Sequence, residues 1–600
     1  MTDSHKPADL NLALIGNAAG AALLTSEASV TFMCAPRMDS DPVFCGLLSP
    51  RAGPGEGEWR IRLVGQTSAG QRYLRNTPIV ETLLHDAEGN CLRILDFMPR
   101  YKNDGRTFRG RTLVRIVEPL SGMPRMQMQL RPRYDYGAKP GEAVAGSNHI
   151  RYALGGQVLR LSTDAPLDYI LSETPFLVGR AMAFLFGPDE APSDDVLSVA
   201  RHFLRRTEAY WHDWVRSLAL PPDYQQVIIR AAITLKLCSY EDTGAILAAI
   251  TTSIPEYDGS GRTWDYRFCW LRDSYFTVQA LNSLNATRTM ENYLLYVSNL
   301  AAGSPDGVLQ PLFGLGGERE PEEELMPELT GYRGSGPVRR GNAAYTQVQN
   351  DGYGSVIMAV TQAFFDERLP NLGGVELFRR MEAIGHEARR RWNEPDAGLW
   401  EFRTRSAIHT HSALMCWAGC DRLAKIANHL GLLSEAAFWA AEAAAIRAEI
   451  LAQAWNTERG SFVSEFGGED LDASLLLMAQ LGFLAPDDPR FTATLAAVER
   501  DLRFGDHLYR YRRPDDFGAP ETAFSACTFW LIDALHRVGR IEEARNIFEG
   551  ILRQRTSLGL LSEGVHVETG ALWGNFPQTY SMVGLINSAM ALSRRWEDIL

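Results

Sequence analysis

Two kinds of apolar spacing divide this chain and predict a multidomain β + α protein: an N-terminal antiparallel β-sandwich, a linker helix and a C-terminal (α/α)6 barrel. Up to residue 195, apolar and polar residues alternate between turn clusters, the period of half-buried strands. From Val196 the period becomes helical and stays so to the end. The expected divisions are 1–195 for the sandwich, 196–222 for the linker and 223–600 for the barrel.

Each element has its own pattern. Trp59 to Val64, Leu113 to Val117 and Met126 to Leu130 alternate in the manner of strands, and clusters such as Arg51-Ala-Gly-Pro-Gly and Asp86-Ala-Glu-Gly-Asn punctuate them. Many short strands without a helical stretch predict a sandwich. Val199, Phe203, Tyr210, Trp211 and Trp214 fall at helical spacing, and Pro221-Pro222 closes that linker helix. Twelve helices are then expected, over 224–240, 273–285, 287–300, 345–366, 373–391, 409–429, 433–454, 472–482, 489–502, 521–538, 541–553 and 579–595. Short connections alternate with long ones (251–272, 302–344, 555–578) rich in Gly, Pro, Trp and charge. Six helical hairpins with long loops at one mouth suit an (α/α)6 barrel; an open solenoid is disfavoured because no fixed repeat appears. Loops longer than connection requires usually carry function.

Composition narrows the function. The 600 residues are 45% hydrophobic and carry a net charge of −13, an ordinary globular composition with no basic footprint for nucleic acid or anionic membrane. Eight cysteines without a CxxC pair read as reduced, buried thiols. The first residues lack a basic then apolar leader and no apolar run reaches membrane length, so the expected compartment is the cytoplasm. His409-Thr-His411 has no third ligand and is read as structural, so no metal or other cofactor is expected. Gly314-Leu-Gly-Gly317 lacks the lysine of a phosphate loop, no Gly-x-Ser-x-Gly elbow appears, and Cys269 has no nearby His to activate it.

The long loops hold the chemistry. Trp264 to Asp273 (WDYRFCWLRD) sets aromatics beside charges before a helix; Gly398 to Arg403 (GLWEFR) puts Trp400 against Glu401; Leu560 to Glu563 precedes Gly574 to Gln578 (GNFPQ). Aromatic platforms beside carboxylates and Arg suit a sugar, whose ring offers an apolar face and a rim of hydroxyls. Two carboxylates on opposite sides of that ring supply acid and base for glycosidic cleavage. Singly, each loop Glu reads as a solvated side chain, Asp273 as a helix cap and the Trp residues as core; their recurrence in several loops favours a glycosidase.

At these motifs the chain resembles glycoside hydrolase family fifteen, in its bacterial trehalase-like and glucoamylase-like branch. The resemblance spans nearly the whole chain: Leu14 to Asn17, Pro36 to Ser40, Ala248 to Glu256, Trp264 to Asp273, Gly331-Tyr-Arg, Pro337-Val-Arg, Gly341 to Ala344, Gln349 to Gly354, GLWEFR, Leu508 to Tyr511, Gly559 to Glu563 and GNFPQ. It implies a β-sandwich joined to an (α/α)6 barrel and hydrolysis of α-glucosides with inversion. It implies Glu401 as general acid and Glu563 as general base. Arg272 and Asp273 would grip the terminal glucose, Trp400 would line that subsite, and Arg510 would stand near the aglycone. Trp264, Asp265, Tyr266 and Trp270 would complete the wall, and Asp39 would reach across from the N-terminal domain.

Departures bear on the substrate. Phe32 stands where the family has Trp, Thr263 where it has Asn, and Phe402 where fungal glucoamylase-like members carry a second Glu. The expected function is therefore an inverting, exo-acting α-glucosidase with a short pocket, trehalose first. A glucoamylase-like or isomalto-oligosaccharide glucohydrolase is the alternative, and a non-catalytic glucan-binding protein or helical scaffold the reading from another class. The expected partner is an α-linked glucose disaccharide or short oligosaccharide; homo-oligomer formation stays open.

Overall fold

A computed structural model describes residues 9–304, 307–369 and 373–599; the first eight residues, read above for a leader, lie outside it. One antiparallel sheet has the strand order Ala13–Gly16, Ala21–Leu24, Val30–Cys34, Trp59–Leu63, Arg125–Leu130, Phe176–Leu177, with Pro42–Phe44 also paired to Val30–Cys34. The second runs Glu142–Ala145, His149–Leu154, Gln157–Thr163, Met182–Pro188, Leu113–Ser121, Cys91–Phe97, Val80–Asp86, Gln66–Tyr73. In the first sheet the alternation holds: Met126 and Met128 lie opposite Leu63 and Ile61 and point inward, while Arg60, Arg62, Gln127 and Gln129 turn out. A short helix α1 (Leu167–Leu171) interrupts the region expected to be free of helix.

The second sheet departs from simple alternation because both of its faces are covered. The linker helix α2 (Val196–Arg216), capped by the Asp195 carboxylate on Ser198 N–H at 3.0 Å, lays Val196, Ala200 and Phe203 on Leu95, Phe97, Val114 and Ile116. Between the sheets Arg115 is fully buried, paired with Asp96 at 2.7 Å and donating to the Trp59 carbonyl at 3.1 Å. These partners satisfy a charge that the core would otherwise exclude.

Beyond the linker lie α3 (Gln225–Leu237), α4 (Leu271–Ser283), α5 (Arg288–Ala302), α6 (Asp351–Val360), α7 (Val375–Arg391), α8 (Thr410–His429), α9 (Leu433–Gln453), α10 (Leu477–Gln480), α11 (Pro489–Leu502), α12 (Ser525–Arg537), α13 (Ile541–Gln554) and α14 (Thr579–Leu592). These twelve, among the described residues, occupy the expected positions. Helices α4, α6, α8, α10, α12 and α14 form a closed inner ring in which α14 returns to α4, the 3-10 turn Ala473–Leu476 completing the α8 to α10 step. The inner helices are buried nearly throughout, whereas outer ones bury a stripe, as Ala544, Ile547, Phe548 and Ile551 do on α13. Gly354 lets α6 and α8 touch: a Cβ there would sit 2.0 Å from the Met415 carbonyl. The segment expected as one helix over 345–366 is broken into 3-10 turns around α6, and α12 starts late because Ala523–Phe524 pairs with Gly564–Val565. The long loops interlace at one mouth: Cys269–Trp270 pairs with Leu312–Phe313, Thr252 bridges to Asp265, and Ala249 to Gln578. The sandwich abuts this end through a bridge between Pro50 and Leu329.

Candidate active site

The interlaced loops line one cavity. Its wall begins with the extended run before α4. Extended chain alternates its side chains, so Trp264 and Tyr266 face the cavity and Asp265 and Arg267 face away. Asp265 is therefore corrected from wall residue to anchor. It is fully buried and pairs with Arg267 at 2.7 Å, and Arg267 in turn donates to the Ser40 carbonyl at 2.6 Å and the Tyr136 hydroxyl at 2.9 Å. That pair ties the barrel to the sandwich. Asp39 likewise stays outside the cavity, its carboxylate engaged by Arg37 at 2.6 Å and by the Leu315 N–H at 3.4 Å. Of the other expected residues, Trp264, Tyr266, Trp270, Arg272, Asp273, Trp400, Glu401, Arg510 and Glu563 all line one cavity.

The two glutamates stand in unlike surroundings. Glu401 follows the Gly398 turn in the left-handed region (φ 59°), a conformation that costs a non-glycine residue free energy. Its Oε1 accepts from Trp270 Nε1 at 2.6 Å, Arg272 Nη2 at 3.2 Å and Gln349 Nε2 at 3.2 Å. Glu563 is 2% exposed; Oε1 accepts from the Tyr266 hydroxyl at 2.6 Å and Oε2 has no protein partner. Burial, then the charge of Glu256, pushes its carboxyl up to about 8 against the pull of Tyr266 and Arg510. Gly574 makes room for it: a Cβ would lie 2.4 Å from Oε2. Tyr266 and Trp270, which hold the two carboxylates, meet edge to face with centroids 5.5 Å apart.

The floor is polar and tightly braced. Arg272 at the start of α4 donates to Gln349 Oε1 at 2.8 Å and pairs with Asp351 at 3.3 Å. Asp273 sits in the first turn of α4, where Trp270 is the capping position and no side chain caps it. Burial raises the Asp273 carboxyl to about 7, and Glu401 and Asp351 add to the rise against Arg272. Trp400 turns its Nε1 away, to Asp472 at 2.9 Å, and packs with Tyr511, Phe524 and Trp530.

Five buried polar atoms on this wall make no hydrogen bond within the protein: Arg272 Nε, Asp273 Oδ1, Arg510 Nε, Glu563 Oε2 and Tyr580 Oη, the first two facing each other as an ion pair at 3.6 Å. Buried polar groups are nearly always bonded, so five together mark a surface shaped for a ligand rich in donors and acceptors. Sequence reading passed over Glu256, which binds Arg510 at 2.9 Å and Trp264 at 3.3 Å, and Tyr580 and Trp530, whose inner helices read as core. The signal for Glu256 was its place at the end of the Ala248 to Glu256 motif. Among the described residues no three His, Cys, Asp or Glu side chains are grouped to hold a metal ion. Burial holds His409 and His411 neutral, each pushed down to about 4.

Two carboxylates in one walled pocket, over a floor that can bracket hydroxyls, define a glycoside hydrolase. Residues 222–590 match Glycosyl hydrolases family 15 and residues 4–161 the trehalase-like N-terminal domain, and the chain belongs to that hydrolase family. It is 33% identical to a trehalase of Mycolicibacterium smegmatis, over 96% of this chain and 90% of that one, and 30% identical to a trehalase of Thermoplasma volcanium, over 96% and 92%. In fold it resembles a bacterial glucoamylase solved with acarbose, with a TM-score of 0.68 and 13% identity over 97% of this chain and 93% of that one.

Proposed function

We propose that this enzyme removes a terminal glucose from a small α-glucoside with inversion, and that its substrate is trehalose. The observation that carries the reading is the pair Glu401 and Glu563 held on opposite partners across the Tyr266–Trp270 contact, above the polar floor. A terminal glucose seated on Arg272, Asp273 and Tyr580 would offer its hydroxyls to atoms that lack hydrogen bonds within the protein. Glu563 takes a proton from water as the water oxygen bonds to C1, the C1–O bond breaks, and Glu401 delivers a proton to the departing oxygen. Glu563 takes that proton only in its ionised form, so on this reading turnover rises with pH through its raised titration. Inversion requires the two carboxyl groups to stand far enough apart to admit that water.

Trehalose is favoured by the trehalase relatives at about a third identity over most of both chains, and by Phe402 at the position after the acid. The cytoplasm is favoured by eight unbridged, buried cysteines; no described helix is long and apolar enough to cross a membrane. The test is glucose release from trehalose, maltose and isomaltose by wild type, Glu401→Gln and Glu563→Gln. Trehalose should be the best substrate and each variant should lose nearly all turnover. Near-wild-type rates in either variant would remove that residue from the mechanism, and a better rate on maltose or isomaltose would replace trehalose.

A further inference from the structure

Part of the cavity wall is an ion-paired clasp that no step of hydrolysis uses. Arg262, from loop 251–272, grips Asp515 with both prongs (Nη1–Oδ2 2.8 Å, Nη2–Oδ1 2.5 Å) and donates to the Gly518 carbonyl at 2.7 Å. The two side chains are only 6% and 7% exposed, and the Tyr511 hydroxyl also donates to Asp515. The next residue, Asp516, accepts the Arg403 N–H at 2.7 Å and the Thr404 hydroxyl, just past Glu401. Phe517 then stands edge-on to Trp264 at 5.1 Å, with the Arg262 and Arg403 guanidiniums over its ring. Three loops are thus bound together over the carboxylates, and all six of these residues, Arg262, Trp264, Arg403, Asp515, Asp516 and Phe517, line the same cavity as Glu401 and Glu563.

We propose that this clasp sets leaving-group length, giving the site room for one sugar beyond the scissile bond and turning away longer α-glucosides. The inference rests on the hydrolase reading above and narrows its substrate class to disaccharides. The floor of Arg272, Asp273 and Tyr580 closes the other end, so any further sugar must pass the mouth. There it meets a buried, two-pronged ion pair and a ring wedged between two guanidiniums. Parting such a pair without supplying equal partners is strongly unfavourable. On this proposal a single leaving sugar leaves the clasp shut, and a longer one has to part it.

The test compares substrates that share a scissile bond and differ by one glucose on the leaving group. Trehalose is paired with its α-1,4-glucosyl extension, cut at the 1,1 bond; maltose with maltotriose; isomaltose with isomaltotriose. Wild type should show a kcat/KM at least fifty-fold lower for the longer member of whichever pair it cleaves. In Arg262→Ala/Asp515→Ala that ratio should close by tenfold or more. Phe517→Ala, which keeps the ion pair, gives a second reading if the double variant does not fold. A wild type that cleaves both members within threefold, or a ratio unmoved in every variant that folds, would overturn the clasp while leaving the hydrolase reading intact. A wild type inert on all six sugars would overturn the hydrolase reading and the clasp with it.

Discussion

Tyr266→Phe deletes the 2.6 Å hydrogen bond to Glu563 Oε1 and keeps the ring against Trp270. A hydrogen bond to a charged group contributes roughly 1.5–3 kcal/mol. It favours the ionised carboxylate, so its loss raises the proton affinity of Glu563, by about one to two pH units at roughly 1.4 kcal/mol each. As the proposed base, Glu563 would work ionised, with activity appearing as pH rises through its titration and lost below it. The acid limb of kcat/KM for trehalose, which reports the free enzyme, should therefore move to higher pH in Tyr266→Phe. Glu256→Gln should move it the other way, because Glu256 is the charge that most raises Glu563 and its removal also releases Arg510 toward that carboxylate. The assay is a kcat/KM profile from about pH 5 to pH 11 for the three enzymes, wide enough to hold a limb that starts near 8 and moves up. Limbs that shift together, or that stay in place while activity persists, would refute the assignment of the acid limb to Glu563.

Three further outcomes follow from the same surroundings. Folding raises the Glu563 carboxyl from 4.5 to about 8, so the folded chain holds a proton that the unfolded chain has released; this contribution to stability is complete below the unfolded value and drains away as pH rises to about 8. Glu563→Gln does not titrate, so its Tm relative to wild type should climb between about pH 5 and pH 8, and a constant or falling difference would contradict the burial argument. Asp273→Asn keeps the shape of the floor but loses a charged acceptor, so turnover on trehalose should drop roughly ten- to hundred-fold at unchanged Tm; a change confined to stability would remove Asp273 from the substrate floor. Asp265→Ala should do the reverse, leaving Arg267 buried and uncompensated at a cost of about 3–5 kcal/mol in thermal unfolding, with KM for trehalose within threefold; a large KM change at unchanged Tm would return Asp265 to the wall.

Much of this was readable from spacing. Met126 and Met128 point inward because strand alternation demands it, and helices such as α2 and α13 announce themselves by their period. What escaped depended on contacts between distant segments. The apolar outer face of Leu113–Ser121 could be understood only once α2 was seen lying on it. The run from Trp264 to Asp273 named the right neighbourhood, yet treating it as a patch hid the alternation that turns Asp265 to the interior. Tyr580 and Trp530 look like core on inner helices because they are core along most of their surface, with only an edge reaching the cavity. The clasp residues Asp515 to Phe517 lie in an ordinary-looking turn; their partners are more than a hundred residues away in sequence.

The account stands most directly on the configuration of the first sugar released. Followed by proton NMR from the start of reaction, trehalose should yield one β-glucose, from the ring on the Arg272–Asp273 floor, and one α-glucose, from the leaving ring, before mutarotation blurs them. Release of α-glucose alone would mean retention, and with it a carboxylate acting as nucleophile where the account places a water.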